Sequence, residues 1–140
     1  MKLITFISAG IFIVFAGMVM KKQNAEQRSL YETKWLLRKI HTENGVEDVN
    51  TKAFIKFDET KKSAGGNGSC NSFGSTVEIK GNEINFMNVF STKIYCEGVQ
   101  KTEDAFFRGL EKATRYEIKD KTLLIYNSND LLLEFTDESK

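Results

Sequence analysis

The chain has 140 residues, of which 41% are hydrophobic and 28% are charged, and its formal net charge is +1. This length suits one compact domain with a short appendage and excludes a second domain of ordinary size. The charge excludes an electrostatic case for nucleic-acid binding, because without residues 1–22, which hold three lysines and no acid, the formal net charge is −2.

The N-terminal residues 3–20 form a run of eighteen residues without a charge, with lysine on both sides. At roughly 1.5 Å per helical residue such a run covers about 27 Å, close to the thickness of a hydrocarbon core. Residues 1–22 are therefore predicted to be a cleaved signal peptide or an uncleaved membrane anchor, and the sequence leaves both open. Either one implies export to the periplasm or cell envelope. A lipid anchor is not favoured, since Met18 stands where a lipid-bearing cysteine is needed.

The segment after the leader begins with a polar stretch, residues 23–30, which lacks periodicity and is predicted to be a linker. The folded domain is then expected over residues 31–140. Residues 34–40 and 53–57 mix aromatic and branched side chains with charges, as half-buried strands do. The polar residues 41–50 between them are predicted to form a loop.

The second half of the chain changes from a strand pattern to a helix pattern and back. Val77, Ile79, Ile84 and Phe86 alternate with polar neighbours about a Gly-Asn turn, which predicts a β-hairpin. Residues 99–113 instead place their apolar side chains on one face at helical spacing. Three short strands are predicted after this amphipathic helix, at residues 114–120, 122–127 and 131–136. Strands around a single helix make an α+β domain.

The glycine-rich segment at residues 65–74, GGNGSCNSFG, surrounds one of the two cysteines, Cys70, and the other is Cys96. Two cysteines in an exported chain usually pair, and we predict a disulfide between them. The bond would close a loop of 27 residues, for which the chain-entropy estimate is about 3.5 kcal/mol. Two free buried thiols are the alternative. A redox or nucleophilic role is disfavoured by the absence of a CxxC motif.

Several short motifs resemble the META domain (HslJ-like) family, which includes the heat-shock protein HslJ, and they occur in the family's order over residues 31–136. The resemblance implies a small, mostly antiparallel, barrel-like β fold with one helix, common in bacterial envelope proteins and often lipid-anchored. It brings no catalytic residue and no settled substrate. The chain departs from the family in lacking the lipid-box cysteine and a glycine in the turn at residues 127–130. The matching motifs are Trp35-Leu36, residues 68–74, residues 91–96, Glu103 and residues 123–135.

Four residues are candidate contacts to a ligand or partner: Asn67, Asn71, Thr92 and Glu103. Glu103 falls on the apolar arc of the predicted helix, and a partly buried carboxylate can be functional. The structural explanation is the stronger one: a glutamate in the first helical turn is favoured by the helix dipole and can accept backbone N–H groups there. The asparagines and the threonine more often satisfy loop backbone. Asn67 also begins an Asn-Gly-Ser glycosylation pattern, which matters only in a cell that glycosylates.

No set of residues in the sequence predicts a cofactor, a metal site or catalysis. One histidine, His41, with two distant cysteines does not supply the ligands of a zinc site. The glycine-rich segment is not followed by the Gly-Lys-Ser/Thr of a phosphate-binding loop. His41 lies in a predicted polar loop, which makes it a poor general base.

The sequence therefore predicts a non-enzymatic, exported cell-envelope protein that acts as a stress-related interaction module. Its partner is an envelope protein or component of unknown identity, and the leader adds a membrane contact if it is not cleaved. The alternative is a small secreted inhibitor of an envelope hydrolase that presents residues 65–74 as a rigid loop.

Overall fold

The structure is a computed structural model that describes residues 28–138. The predicted signal or anchor segment and residues 23–27 of the predicted linker lie outside this range. In the described range one α-helix follows six strands and precedes three more. In chain order these are β1 (Trp35–Thr42), β2 (Gly45–Asp48), β3 (Phe54–Asp58), β4 (Ser63–Asn67), β5 (Ser72–Lys80), β6 (Glu83–Ser91), α1 (Gln100–Lys112), β7 (Arg115–Lys119), β8 (Thr122–Asn127) and β9 (Asp130–Asp137).

The strands form one antiparallel sheet in the order β2-β1-β3-β4-β5-β6-β7-β8-β9, and the sheet closes into a ring because β1 also pairs with β9. The pairing between β6 and β7 is the thinnest place in the ring, with Glu83 opposite Arg115 as its one register pair. The expected antiparallel β fold with one helix is therefore confirmed in its main features.

Strand β1 shows how the sequence selects which side chains face the interior. Trp35 and Leu37 are buried as alternation requires, but the next buried residue is Ile40, three positions on. The register with β9 shifts between Leu37 and Lys39, which marks a β-bulge. The extra residue of the bulge restores the inward direction of Ile40.

Helix α1 packs its apolar stripe on the inside of the ring. Phe106 and Leu110 are fully buried, and Phe106 stacks edge-on against Phe73 with the ring centroids 5.4 Å apart. Gly109 lies against the Leu133 side chain, where an added Cβ would approach to 3.0 Å. The amphipathic helix predicted over residues 99–113 is therefore confirmed. Across residues 28–138 no helix is both long and apolar enough to cross a membrane.

Three features of the described chain differ from the sequence expectation. The predicted loop at residues 41–50 contains the end of β1 and all of β2, joined by a two-residue turn at Glu43 and Asn44, with Gly45 opening β2 at a backbone φ of 121°. Residues 65–67 belong to β4 and residues 72–74 to β5, so the glycine-rich segment that was expected to present a loop is a β-hairpin with a turn of four residues. The last part of the predicted linker is packed as well, since Leu30 is buried.

Candidate functional site

The four candidate residues predicted from sequence lie together at one end of the ring, around the turn between β4 and β5. Three separate parts of the chain meet here: that turn, the segment after β6 and the first turn of α1. Asn71 links all three through hydrogen bonds to Thr92, Ile94 and Glu103. Asn67 is bonded within the turn itself, to Ser69 and Cys70.

Glu103 anchors this cluster from the helix side, and its side chain is 1% exposed. Its Oε2 accepts the backbone N–H groups of Cys70 and Asn71 at 2.9 and 2.6 Å. Its Oε1 accepts the Asn71 Nδ2–H at 2.6 Å. The sequence predicts that backbone N–H groups in the first turn of the helix itself can donate to the Glu103 carboxylate. The donors come instead from the β4–β5 turn, more than thirty residues earlier in the chain.

Asn71 connects the turn to the segment that follows β6. Its Oδ1 accepts the backbone N–H of Ile94 at 2.8 Å and the Thr92 hydroxyl at 2.7 Å. Its Nδ2 donates to the Ile94 carbonyl at 2.9 Å as well as to Glu103. The Asn71 amide thus donates two hydrogen bonds and accepts two, which is its full capacity and fixes its orientation. Asn71 thus serves as a side-chain substitute for a strand partner of Ile94.

The turn itself is held in a sharply bent shape. Ser69 has a backbone φ of 123°, a region that side chains rarely adopt, and its N–H donates to Asn67 Oδ1 at 2.9 Å. Gly68 must be glycine, because an added Cβ would stand 2.6 Å from Phe107 Cζ and 2.8 Å from Glu103 Oε2. The close approach of backbone to carboxylate therefore depends on the missing side chain.

A disulfide between Cys70 and Cys96 closes the cluster, with the two Cα atoms 5.9 Å apart. The predicted pairing is therefore present in the structure. Cys70 belongs to the turn and Cys96 to the segment after β6, so the bond joins the same two parts of the chain that Asn71 joins. Neither cysteine is free.

The last residues of β6 and the segment after it carry three of the four exposed large apolar side chains between positions 28 and 138. Phe90, Ile94 and Tyr95 have exposed fractions of 68%, 62% and 77%, and the one further exposed large apolar residue between positions 28 and 138 is Val46, in β2. We call Phe90, Ile94 and Tyr95 the docking surface. Within residues 91–96 the sequence singles out Thr92 and Cys96 but neither Ile94 nor Tyr95. A single sequence does not distinguish an exposed apolar residue from a buried one, because both are the same residue type.

The one histidine of the described chain, His41, pairs with a glutamate beside a surface groove. His41 Nε2 lies 2.6 Å from Glu134 Oε2 at the edge of a groove of about 540 Å³, and neither serine nor cysteine lines that groove. No group of three or more His, Cys, Asp or Glu side chains within residues 28–138 is placed to hold a metal ion. The cluster around Glu103 positions backbone, since each of its polar contacts ends on another group of the fold.

These observations define a small antiparallel β domain. Its first and last strands pair to close the sheet, and one helix packs its apolar face against the core. The chain belongs to the META domain family, whose sequence model matches residues 28–140. No curated protein matches the sequence.

Three solved structures share the fold. An NMR structure of a protein from Burkholderia xenovorans has a TM-score of 0.66 and 17% identity, covering 79% of this chain and 85% of that one. A second NMR structure has a TM-score of 0.58 and 16% identity, covering 76% and 90%. A crystal structure of a DUF4847 family protein from Bacteroides vulgatus ATCC 8482 has a TM-score of 0.56 and 14% identity, covering 76% and 93%. At these identities the likeness concerns the fold alone.

Proposed function

We propose that this META-domain protein is a non-enzymatic, exported cell-envelope protein that binds another envelope protein through the docking surface, as an interaction module used in stress. The observation that carries the proposal is the exposure of Phe90 near the end of β6 and of Ile94 and Tyr95 on the segment after it, which Asn71 and the disulfide hold in place. Exposed apolar side chains that form a patch on a protein surface often mark an interaction site.

The rigidity of the segment supports binding. Ile94 is bonded through both backbone groups to Asn71, and Cys96 is bonded covalently to Cys70. Ordering a loop on binding costs free energy that a pre-ordered loop has already lost in folding. The hydrogen-bonded cluster beneath the segment is therefore best understood as its support.

The proposed export depends on two independent features. A disulfide is stable in an oxidising compartment, and the charge-free run at residues 3–20 is of the kind that directs a chain there. Fractionation of native cells with thiol labelling of the unreduced, denatured protein tests this part. We expect the protein in the envelope fraction without labelled thiols. Cytoplasmic protein with two labelled thiols would contradict it.

Site-specific photo-crosslinking in native cells tests the docking surface. A photoreactive residue is placed at position 90 or 95, and position 46, also exposed and apolar but in β2, serves as the matched control. We expect the same discrete adduct from positions 90 and 95 and none from position 46. Adding Ile94→Asp should abolish the adduct while the protein remains folded. Equal adducts from all three positions would show that the surface has no special role.

A second candidate function, inhibition of an envelope hydrolase, is favoured by the extended, pinned shape of the same segment. From the sequence, residues 65–74 are the loop expected to enter the active-site cleft of the hydrolase. Most of those residues pair in β4 and β5, and Gly68 in the turn is buried against the helix. The segment after β6 is the better exposed of the two.

A further inference from the structure

We propose that residues 93–95 form a substrate-like segment that binds in the peptide-binding cleft of a serine peptidase with an apolar specificity pocket, which Tyr95 enters. The inference deepens the second proposed function and depends on it. Four properties of the segment carry it: its extended backbone, its unused hydrogen-bonding groups, the exposure of Tyr95 and the way both sides of the Tyr95–Cys96 bond are held.

The hydrogen bonds of the segment fit an extended backbone. Residues 92–96 form neither helix nor turn, and none of them has a positive φ. The N–H and C=O of Ile94 both reach the Asn71 side chain, so these two groups point to the same side. Both groups of one residue point to the same side in a β-strand, and those of its neighbours point to the other. Peptidase clefts bind their substrates in this extended form.

The neighbours of Ile94 have free backbone groups. Among residues 28–138, neither Lys93 nor Tyr95 makes a hydrogen bond through its N–H or C=O. The strand alternation directs these groups away from Asn71, towards solvent. A cleft that offers backbone donors and acceptors can therefore pair with Lys93 and Tyr95 without disturbing any bond of the fold.

Tyr95 is the side chain best placed to enter a pocket. It is 77% exposed, the highest fraction among the large apolar side chains of the described chain. An aromatic ring brings a large contact area with few rotatable bonds, which is why Tyr is enriched at the centres of tight interfaces. An apolar slot of the chymotrypsin type accepts such a ring, whereas the acidic pocket of trypsin does not.

The fold holds both products of cleavage after Tyr95. In acyl transfer, the peptidase serine oxygen bonds to the Tyr95 carbonyl carbon, the Tyr95–Cys96 C–N bond breaks, and the serine proton passes through the peptidase histidine to the Cys96 nitrogen. Asn71 retains Ile94 on one side, and the disulfide retains Cys96 on the other. The new amine therefore remains beside the acyl group and can reverse the step, which is effectively intramolecular. The segment should accordingly inhibit rather than be consumed.

The test uses the protein purified from the envelope, with chymotrypsin as probe and trypsin as comparison, each assayed on a chromogenic peptide substrate. We expect competitive inhibition of chymotrypsin and little effect on trypsin. Tyr95→Ala should raise the inhibition constant by about 30-fold or more, as expected for loss of a central anchor worth at least about 2 kcal/mol. Val46→Ala, which removes a comparably exposed apolar side chain far along the chain, should leave it unchanged.

Asn71→Ala provides a second readout that does not depend on the pocket. With Tyr95 intact but Ile94 released, chymotrypsin should cleave after Tyr95 faster than it cleaves wild type, as intact mass measurement after reduction would show. Far-UV circular dichroism checks that the variant is folded, and Thr92→Ala, which removes only one of the four hydrogen bonds of Asn71, provides a milder variant if it is not.

Three results would overturn the proposal: absence of inhibition, rapid cleavage of wild type after Tyr95, or inhibition that is unchanged in Tyr95→Ala. The first two would leave the interaction module intact if the crosslinks from positions 90 and 95 persist. Loss of those crosslinks together with retained inhibition would instead remove the first proposed function and keep the second.

Discussion

At the scale of single residues, the cluster beneath the docking surface depends on one carboxylate. A charge on the buried face of a helix is costly unless its hydrogen bonds are satisfied, and Glu103 receives three. Its place on the apolar arc is readable from the helical period of the sequence. Its partners are not, because Cys70 and Asn71 are distant in sequence and become neighbours only through folding.

Glu103→Gln tests this arrangement. The new amide can turn its oxygen to the two backbone N–H groups only by pointing its NH₂ at Asn71 Nδ2, which is also a donor. Asn71 cannot rotate to compensate without losing both of its bonds to Ile94. One N–H of Asn71 and the NH₂ of the new amide are then left without acceptors, and we expect the free energy of unfolding to fall by about 1–3 kcal/mol in urea titrations.

The matched control for this substitution is Glu111→Gln. Glu111 is exposed on the same helix, and the same chemical change there should alter stability by less than about 0.5 kcal/mol. Equal effects of the two substitutions would mean that the bonds to the β4–β5 turn contribute nothing measurable.

At the scale of elements, periodicity decided what the sequence could predict. The β5–β6 hairpin and helix α1 each bury one face and leave a regular pattern. Strand β2 is exposed at all four positions and so has no alternation to detect. Strand β4 is rich in glycine, a residue that normally indicates a loop, and is a strand because β3 and β5 pair with it on both sides.

The connection between the β4–β5 turn and the segment after β6 is another property of elements. Replacing both Cys70 and Cys96 by serine removes the covalent link across a sequence separation of 26. The free energy of unfolding should fall by about 3 kcal/mol, since the unfolded chain regains the entropy that the closed loop denies it. Urea titration followed by Trp35 fluorescence measures this, because Trp35 is the only tryptophan and is fully buried.

Reduced wild-type protein is the natural control for the double serine variant. The two should unfold at the same urea concentration, because both lack the crosslink and differ only in two sulfur atoms. A variant as stable as oxidised wild type would show that the hydrogen bonds of Asn71 and Glu103 alone hold the two segments together.

At the scale of the whole molecule, the ring separates the chain ends from the docking surface. Strand β5 runs nine residues from the site to the far end, and at roughly 3.3 Å per residue its ends lie about 26 Å apart. Tyr31 lines a groove with Lys80, the last residue of that strand. The C-terminal end of the described chain meets Lys34, three residues after Tyr31, because the Glu138 N–H donates to the Lys34 carbonyl. A leader that tethered the domain to a membrane would therefore leave Tyr95 facing away from it.

This geometry predicts that bulk at either terminus does not obstruct binding. A globular domain fused after residue 140, or placed directly before Arg28, should change the chymotrypsin inhibition constant and the crosslink yield from position 95 by less than about twofold, because neither addition approaches the surface across a strand about 26 Å long. The same domain inserted at the turn between β4 and β5, beside Cys70, should abolish both signals. If the terminal fusions reduced inhibition and crosslinking as much as the turn insertion, this would contradict the placement of the docking surface at the end of the ring opposite the chain ends.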